Sequence, residues 1–306
     1  MSANLINLRT IQFSDKFQLL SQQYGSRLQT LVGQGQYQGK QASPVNQVAP
    51  TAAVAVTERF TPIDRQDAAF DRRWAFPQSY EHAQLVDKFD ELQMLGDPKP
   101  SLVMNAANAM GRAKDDVIIG AFYATAKVGE LAAGSVAWNN TLTTAGGQNV
   151  SVSQGAGGPT NLTVAKLREV VKTFLQNNVD IDREQITGAL NAKAHDSLLG
   201  EMQITSMDYQ TKPVLEEGRI RRFMGIDFVL TEEVTNICTG TDDASGTSVG
   251  IPFWVSSGMH LGTWIDINTN ITQRTDLKLQ PWQIYMDMMV GATRIEEKKV
   301  VRVWCR

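Results

Sequence analysis

Scarcity narrows the chemistry of this chain before any motif does. Cysteine occurs twice in 306 residues, at Cys238 and Cys305, far apart and without a framework of partners. Two such thiols point to folding in a reducing compartment rather than to a disulfide scaffold. Histidine occurs three times, at His82, His195 and His260, never at the close spacing of a zinc site and never beside a cysteine. No apolar window approaches the ~20 residues of a membrane span, and no basic stretch followed by an apolar run opens the chain. Charge is also nearly balanced: 29 basic and 32 acidic residues leave −3, which gives no general attraction for nucleic acid or anionic lipid. The expectation is a soluble protein that needs no cofactor or metal and does not meet a membrane.

Catalytic signatures are equally thin. Gly33-Gln-Gly35-Gln-Tyr-Gln-Gly39 has the wrong last spacing for a dinucleotide fingerprint, and Gly155-Ala-Gly157-Gly158-Pro159-Thr160 lacks the Lys-Ser/Thr of a phosphate loop. Ser256 and Ser257 lie in VSSGMH, not in a nucleophile elbow. Asp115 with Asp116, and Glu296 with Glu297, are adjacent pairs that point apart on a helix or strand, so solvated or ion-paired faces are expected. Arg219, Arg221 and Arg222 read as a charged strand edge that guards against unwanted pairing. No active site emerges.

What the chain does have is 42% hydrophobic residues, enough for a real core, and one unusually long helical pattern. Asp97 and Pro98 mark its start, and Val103, Ala106, Ala107, Met110, Ala113, Val117, Ile118, Ala121, Phe122 and Val128 recur at helical spacing. Lys99, Asn105, Arg112, Lys114, Asp115 and Asp116 take the other face. A helix from Pro98 to Lys127 would be roughly 45 Å long, a rod that needs a broad surface to lie against.

Before it, residues 1–32 carry a helical stripe (Ile11, Phe17, Leu20, Tyr24, Leu28, Leu31), and 33–50 read as an extended connector that forms neither helix nor central strand. Val54, Val56, Glu58 and Phe60 alternate as a strand, and Trp74, Phe76 and Gln78 as its return, with PIDRQDAAFDRR as a charged tip between them. That hairpin has too few apolar residues for its own core and must be buried on another surface. Tyr80 to Leu95 is predicted helical and closed by Gly96. After the long helix, 129–160 read as loops around a short strand, and a helix capped by Asn161 or Thr163 follows with Lys166, Arg168, Glu169 and Lys172 on its polar side. Ile186–Leu190 is a short buried strand, Ala192–Met202 a helix, Phe223–Leu230 strand-like, and Cys238–Gly250 a flexible loop. Strands follow at Ile251–Val255, Gly262–Ile271, Gln283–Val290 and Thr293–Val303. Helices and strands in this order make an α+β fold without internal repeats.

Seven collinear segments give these elements a common frame: RRWAFPQSYEHAQLVD (72–87), MGRAKDDVIIGAFYATAKVGE (110–130), LTVAKLREVVKTF (162–174), ALNAKAHDSLLGE (189–201), TSMDYQTKPVLEEGRIRRFMGIDFV (205–229), SGMHLGTWIDI (257–267) and VGATRIEEKKVVRV (290–303). Together they resemble the major capsid proteins of tailed double-stranded-DNA bacteriophages. The resemblance implies the shell fold named after coliphage Hong Kong 97. On this sequence it implies an N-terminal arm at 1–47, an extended β-hairpin loop at 48–82, and a peripheral domain at 83–133 and 257–306 with a spine helix near 97–128. An axial domain would occupy 134–256.

It further implies self-assembly through pentamers and hexamers into an icosahedral shell, in the virion, built in the host bacterial cytoplasm around packaged double-stranded DNA held without sequence-specific contact. A separate scaffolding protein, a portal and a decoration protein are the implied partners. Arg65, Asp67, Asp71, Arg72 and Arg73, taken as the charged tip, are the candidate subunit contacts, since such charges set register and partner choice. Reversing Arg72 and Arg73 is expected to abolish shells and leave a folded subunit. The rival readings are an encapsulin-like compartment with the same fold and a soluble enzyme using His195 or His260.

Overall fold

The computed structural model describes residues 19–39, 41–55, 62, 65–87, 99–201, 218–240 and 248–306. Among them are fifteen strands and four α-helices. In chain order the strands are Gly33–Gln36 (β1), Ala42–Val48 (β2), Phe70–Ala75 (β3), Gln78–Val86 (β4), Ala126–Val128 (β5), Gly134–Val136 (β6), Asn149–Val150 (β7) and Ile186–Leu190 (β8), then Arg222–Phe223 (β9), Ile226–Leu230 (β10), Thr239–Gly240 (β11), Ser248–Val255 (β12), Met259–Gln273 (β13), Trp282–Arg294 (β14) and Val300–Cys305 (β15). The helices are Lys99–Tyr123 (α1), Val164–Gln176 (α2), Ala192–Leu199 (α3) and Glu233–Ile237 (α4). The chain divides into two compact units, one of Ser79–Ala113 and Ile265–Met289 with the N-terminal residues up to Ser26, the other of Arg27–Gln78, Lys114–Trp264 and Val290–Arg306.

The larger unit is built on a sheet in the order β7-β15-β12-β8-β10-β9, with β11 also on β12. Every residue of β8 is buried, as a central strand requires, and β8 runs parallel to β10 but antiparallel to β12. Gly188 of β8 faces Phe253 across the ladder, where a Cβ would come within 2.6 Å of the ring. Leu162, Val164, Leu167, Val170 and Phe174 from α2 and the segment before it fill the core with Ile251, Phe253, Val301 and Val303. Thr163 caps α2, its side chain accepting from Lys166 N–H. Lys166 itself is not on a solvated face. It is fully buried, and its Nζ donates to the carbonyls of Thr160, Asn161 and Trp304 at 2.7 to 2.9 Å, whereas Leu175 is 59% exposed.

The long helix ends at Tyr123, earlier than the predicted Lys127, because Ala126–Val128 pairs with β3 and β6 instead. Its predicted start at Asp97 and Pro98 lies outside the described residues. The polar side of α1 is covered in part: Asn105 and Asp116 are exposed, but Asp115 is fully buried and accepts from Arg27 N–H at 2.9 Å and Leu28 N–H at 3.1 Å. Asn108 accepts from Gly25 N–H, and Arg112 donates to Gln22 and to the Gln23 carbonyl. The segment from 19 to 28 is accordingly not the predicted helix. Its N–H groups bond side chains of α1, and only Gln29–Leu31 forms a 3-10 turn.

Two further expectations fail and the strand-like reading of Phe223–Leu230 is refined, each for an identifiable reason. Residues 78–86 form a strand, not a helix, since Tyr80, His82, Gln84 and Val86 are covered in alternation with exposed Glu81, Ala83 and Leu85. The remainder of that predicted helix lies outside the described residues. Phe223–Leu230 is two strands joined at Met224-Gly225, both at positive φ as a tight hairpin turn requires. Thr239–Gly240 and Ser248–Val255 pair antiparallel, so the ends of the predicted loop 238–250 are strands.

Candidate assembly surface

The segment read as a connector supplies the outgoing arm of the extended ribbon. β3 pairs antiparallel with β2: Val48 faces Phe70, Asn46 faces Arg72, and Val45 faces Arg73. Val54 is in no strand and exposed, while 56–60 lie outside the described residues. β2 is an edge strand, with a register shift between Ala42 and Val45.

Alternation gives the ribbon two different faces. The inner face carries Arg73 and Ala75, both buried. Arg73 is 5% exposed and donates to Glu297 Oε2 at 2.9 Å and to Gln47 Oε1 at 3.3 Å. Glu297 also meets Arg294 at 3.5 Å. Arg294, 1% exposed, spends its remaining donors on the carbonyls of Phe122 at 2.7 Å and Ala124 at 2.8 Å. One carboxylate between two buried guanidinium groups, with the Phe122 and Ala124 carbonyls accepting from Arg294, ties the ribbon root to the C-terminal end of α1. Burial holds Arg294 below its usual range; Glu297 opposes that shift and Arg73 adds to it.

The outer face is open. Val48 is 59% and Phe70 76% exposed, and the two are cross-strand partners. Beside them Arg72 donates from Nε to Asn46 Oδ1 at 2.9 Å and lies 5.9 Å from the Trp74 ring centre. Trp74 in turn donates to the Gly129 carbonyl at 2.6 Å. Asn46, Val48, Phe70, Arg72, Gly129 and Glu130 contribute to a groove of about 510 Å³ on this side. Charged, aromatic and aliphatic groups without cover are what a partner surface can use.

The predicted charged tip is therefore two things. Arg65 and Asp67 pair with each other at 2.7 Å, both well exposed. Asp71, Arg72 and Arg73 are instead in the strand: Asp71 accepts from Gly129 N–H at 3.3 Å, and only Arg72 of the two arginines faces outward. Val48 and Phe70 were missed at the sequence level, although their alternation with Gln47 and Asp71 was the available signal.

Among the described residues the histidines and cysteines stand apart from one another. His195 Nε2 accepts from Ile220 N–H at 3.2 Å, and His260 Nε2 lies 2.9 Å from Tyr37 Oη. Desolvation lowers both histidines from their ordinary range, with Arg219 adding to the effect at His195. Cys238 and Cys305 are free and buried, their thiols pushed up to about 12 chiefly by desolvation. Among the described residues no three His, Cys, Asp or Glu side chains gather as metal ligands, and no helix is long and apolar enough to cross a membrane.

Among solved structures, the chain is similar to the capsid of cyanophage P-SCSP1u, with a TM-score of 0.75 and 12% identity over 100% of this chain and 95% of that one. The capsid of cyanophage Pam1 gives 0.74 and 11% over 97% and 96%, and that of a native GTA particle 0.70 and 13% over 99% and 97%. No curated protein sequence matches the chain significantly. The model of the family described as phage capsid protein matches residues 7–306. These similarities bear out the capsid fold and do not favour the compartment reading. A chain that matches the model over nearly its whole length, and whose fold is that of phage capsids, belongs to the phage capsid protein family as a major capsid protein of the virion shell.

Proposed function

We propose that copies of this chain gather into five- and six-membered rings that close as an icosahedral shell around double-stranded phage DNA. The observation that carries this reading is the β2–β3 ribbon: its inner face is locked into the fold through Arg73, Glu297 and Arg294, while on its outer face Val48 and Phe70 are exposed and Arg72 is half-buried. A ribbon rigid at its root and open on its outer face is suited to reach a neighbouring copy. Arg65 and Asp67 serve the same contact nearer the tip, with Asp71 positioning the ribbon against Gly129.

In the corresponding division of labour, 1–47 act as an arm and 48–82 as the extended loop, with 83–133 and 257–306 the peripheral domain and 134–256 the axial domain. The arm region also lends β2 to the ribbon, and β15 joins the sheet of the axial segment. The shell forms in the host bacterial cytoplasm on a separate scaffolding protein and a portal, and a decoration protein binds outside. Packaged DNA is held by confinement, since a chain of net charge −3 has no excess of cations for a specific binder. Its work is structural, and neither His195 nor His260 takes part in chemistry.

Sedimentation velocity of the expressed full chain, with negative-stain images of the fast fraction, tests the proposal. Closed particles tens of nanometres across that contain nucleic acid are expected when the phage's other assembly proteins are present. A small, discrete oligomer under those conditions would overturn it.

A further inference from the structure

β1 has little of its own to hold it in place, being four residues long with glycine at two of them. It nevertheless lies parallel on the edge of its sheet, Gly33 facing His260 and Gly35 facing Gly262. Tyr37, the next residue after the strand, donates from its N–H to the Thr263 carbonyl at 3.0 Å. Its ring folds back over Gly35, where a Cβ would come within 2.7 Å of Oη, and stands 5.7 Å from Trp264 and 5.8 Å from His260 between ring centres. Tyr37 Oη and His260 Nε2 are 2.9 Å apart, and a Cβ on Gly33 would stand 3.3 Å from His260 Nδ1. The imidazole, 7% exposed, thus lies against both ends of β1. A neutral ring can accept the Tyr37 hydroxyl proton at Nε2, whereas an imidazolium has two donors and no acceptor. No carboxylate nearby is free to receive the new charge. A groove of about 720 Å³ borders His260, lined by Asp71 and Arg73 from β3 and by Glu296, Glu297, Lys298 and Lys299 from the turn before β15. Glu297 is taken by Arg73 and Arg294, Glu296 by Lys299 at 3.7 Å, and Asp71 by the Gly129 N–H. β1 itself carries no charged side chain.

We propose that Tyr37 and His260 form a proton-operated clasp: neutral His260 fixes β1 on β13, and its protonation from the groove peels β1 away while the central sheet of the larger unit stays paired. The segment released leads directly into ribbon strand β2, so the clasp sets how firmly the ribbon is moored at its root. Desolvation holds the buried ring below its ordinary 6.5. The peeled form binds this proton near the ordinary value and the clasped form below it, so peeling grows as pH falls through that interval. The clasp belongs to the single chain and stands apart from the assembly reading above.

Hydrogen exchange of the full-length chain at about pH 7.5 and about pH 5, on either side of the ordinary histidine range and corrected for intrinsic exchange rates, tests the clasp. Protection of Gly33–Tyr37 is expected to fall roughly tenfold at the lower pH, while β8, β10 and β12 keep theirs. His260→Gln, whose amide can bond Tyr37 Oη without titrating, is expected to lose that response. The chain has three histidines, so His82→Gln combined with His195→Gln leaves His260 as the sole imidazole and is expected to respond like the parent. That double variant decides the attribution even where His260→Gln leaves β1 open at both pH values. Gly35→Ala drives a Cβ into the Tyr37 ring and is expected to expose Gly33–Tyr37 already at the higher pH. Equal protection of the parent at both pH values would overturn the proposal. So would a response that survives His260→Gln, one that disappears in the double variant, or a loss spread evenly through β8, β10 and β12.

Discussion

Arg73 reaches Glu297 at 2.9 Å with 5% exposure, whereas Arg72, one residue earlier, lies against Asn46 and Trp74 on the open side of the same strand. Reversal of the two must therefore have different consequences. Arg73→Glu sets a second carboxylate beside Glu297 in a covered site and leaves Arg294 in altered company. The expected cost is about 3–5 kcal/mol, read as a lower urea midpoint. Arg72→Glu is expected to stay within about 0.5 kcal/mol in the same measurement and to act on assembly instead. The double reversal, expected from sequence to leave a folded subunit, is thus expected to destabilise that subunit through Arg73. A second residue-scale prediction concerns His260, which is buried against Tyr37 and held below its ordinary value of 6.5. The folded protein binds its proton less readily than the unfolded chain, so the stability linked to this group is present above about pH 6.5. It is lost as pH falls toward the lower folded value. Urea midpoints measured between pH 7.5 and 5, ranges chosen to bracket that group, are expected to decline, and less so in His260→Gln.

At the scale of elements, α1 is held on both sides by different chemistry. Ala106, Met110, Ile118, Ile119 and Phe122 are buried as an apolar stripe, and Phe122 meets Trp254 at 4.8 Å between ring centres. The opposite side works through polar atoms that take up the N–H groups of the segment preceding β1. Gly111 is the closest approach within the smaller unit: a Cβ there would stand 2.5 Å from the carbonyl carbon of Gly25 and 2.7 Å from Ser26 N. Gly111→Ala gains intrinsic helix propensity of about 1 kcal/mol, yet the backbone contact is too close to survive. The segment is expected to be displaced, so trypsin cleavage at Arg27 should accelerate several-fold while the core of the larger unit keeps its hydrogen-exchange protection. Unchanged cleavage would show that the segment shifts without detaching.

For the whole molecule, the assembly prediction belongs to surfaces rather than to a pocket, and much of that was legible in sequence. The long helical period, the Thr163 cap and the short run of Ile186–Leu190 are local facts, and periodicity and capping depend on neighbours along the chain. The seven collinear segments pointed to the family for the same reason. Partnership between strands is different, because it depends on what lies across the ladder. Residues 42–48 look unpromising alone and become a strand because β3 offers them donors and acceptors. Residues 78–86 fit a helix template by Ala83 and Val86, but pairing in the sheet selects the alternation of Tyr80, His82 and Val86. Burial of charge is likewise undecided by pattern: Lys166, Asp115, Arg73 and Arg294 read as surface residues until backbone carbonyls, N–H groups and one carboxylate from distant segments converge on them. The chain's local order thus determined the long helix, the helices at Val164–Gln176 and Ala192–Leu199, the short buried strand and the family. Only the tertiary structure decided which strands pair and which charges are buried, because both depend on groups brought together from far apart in sequence.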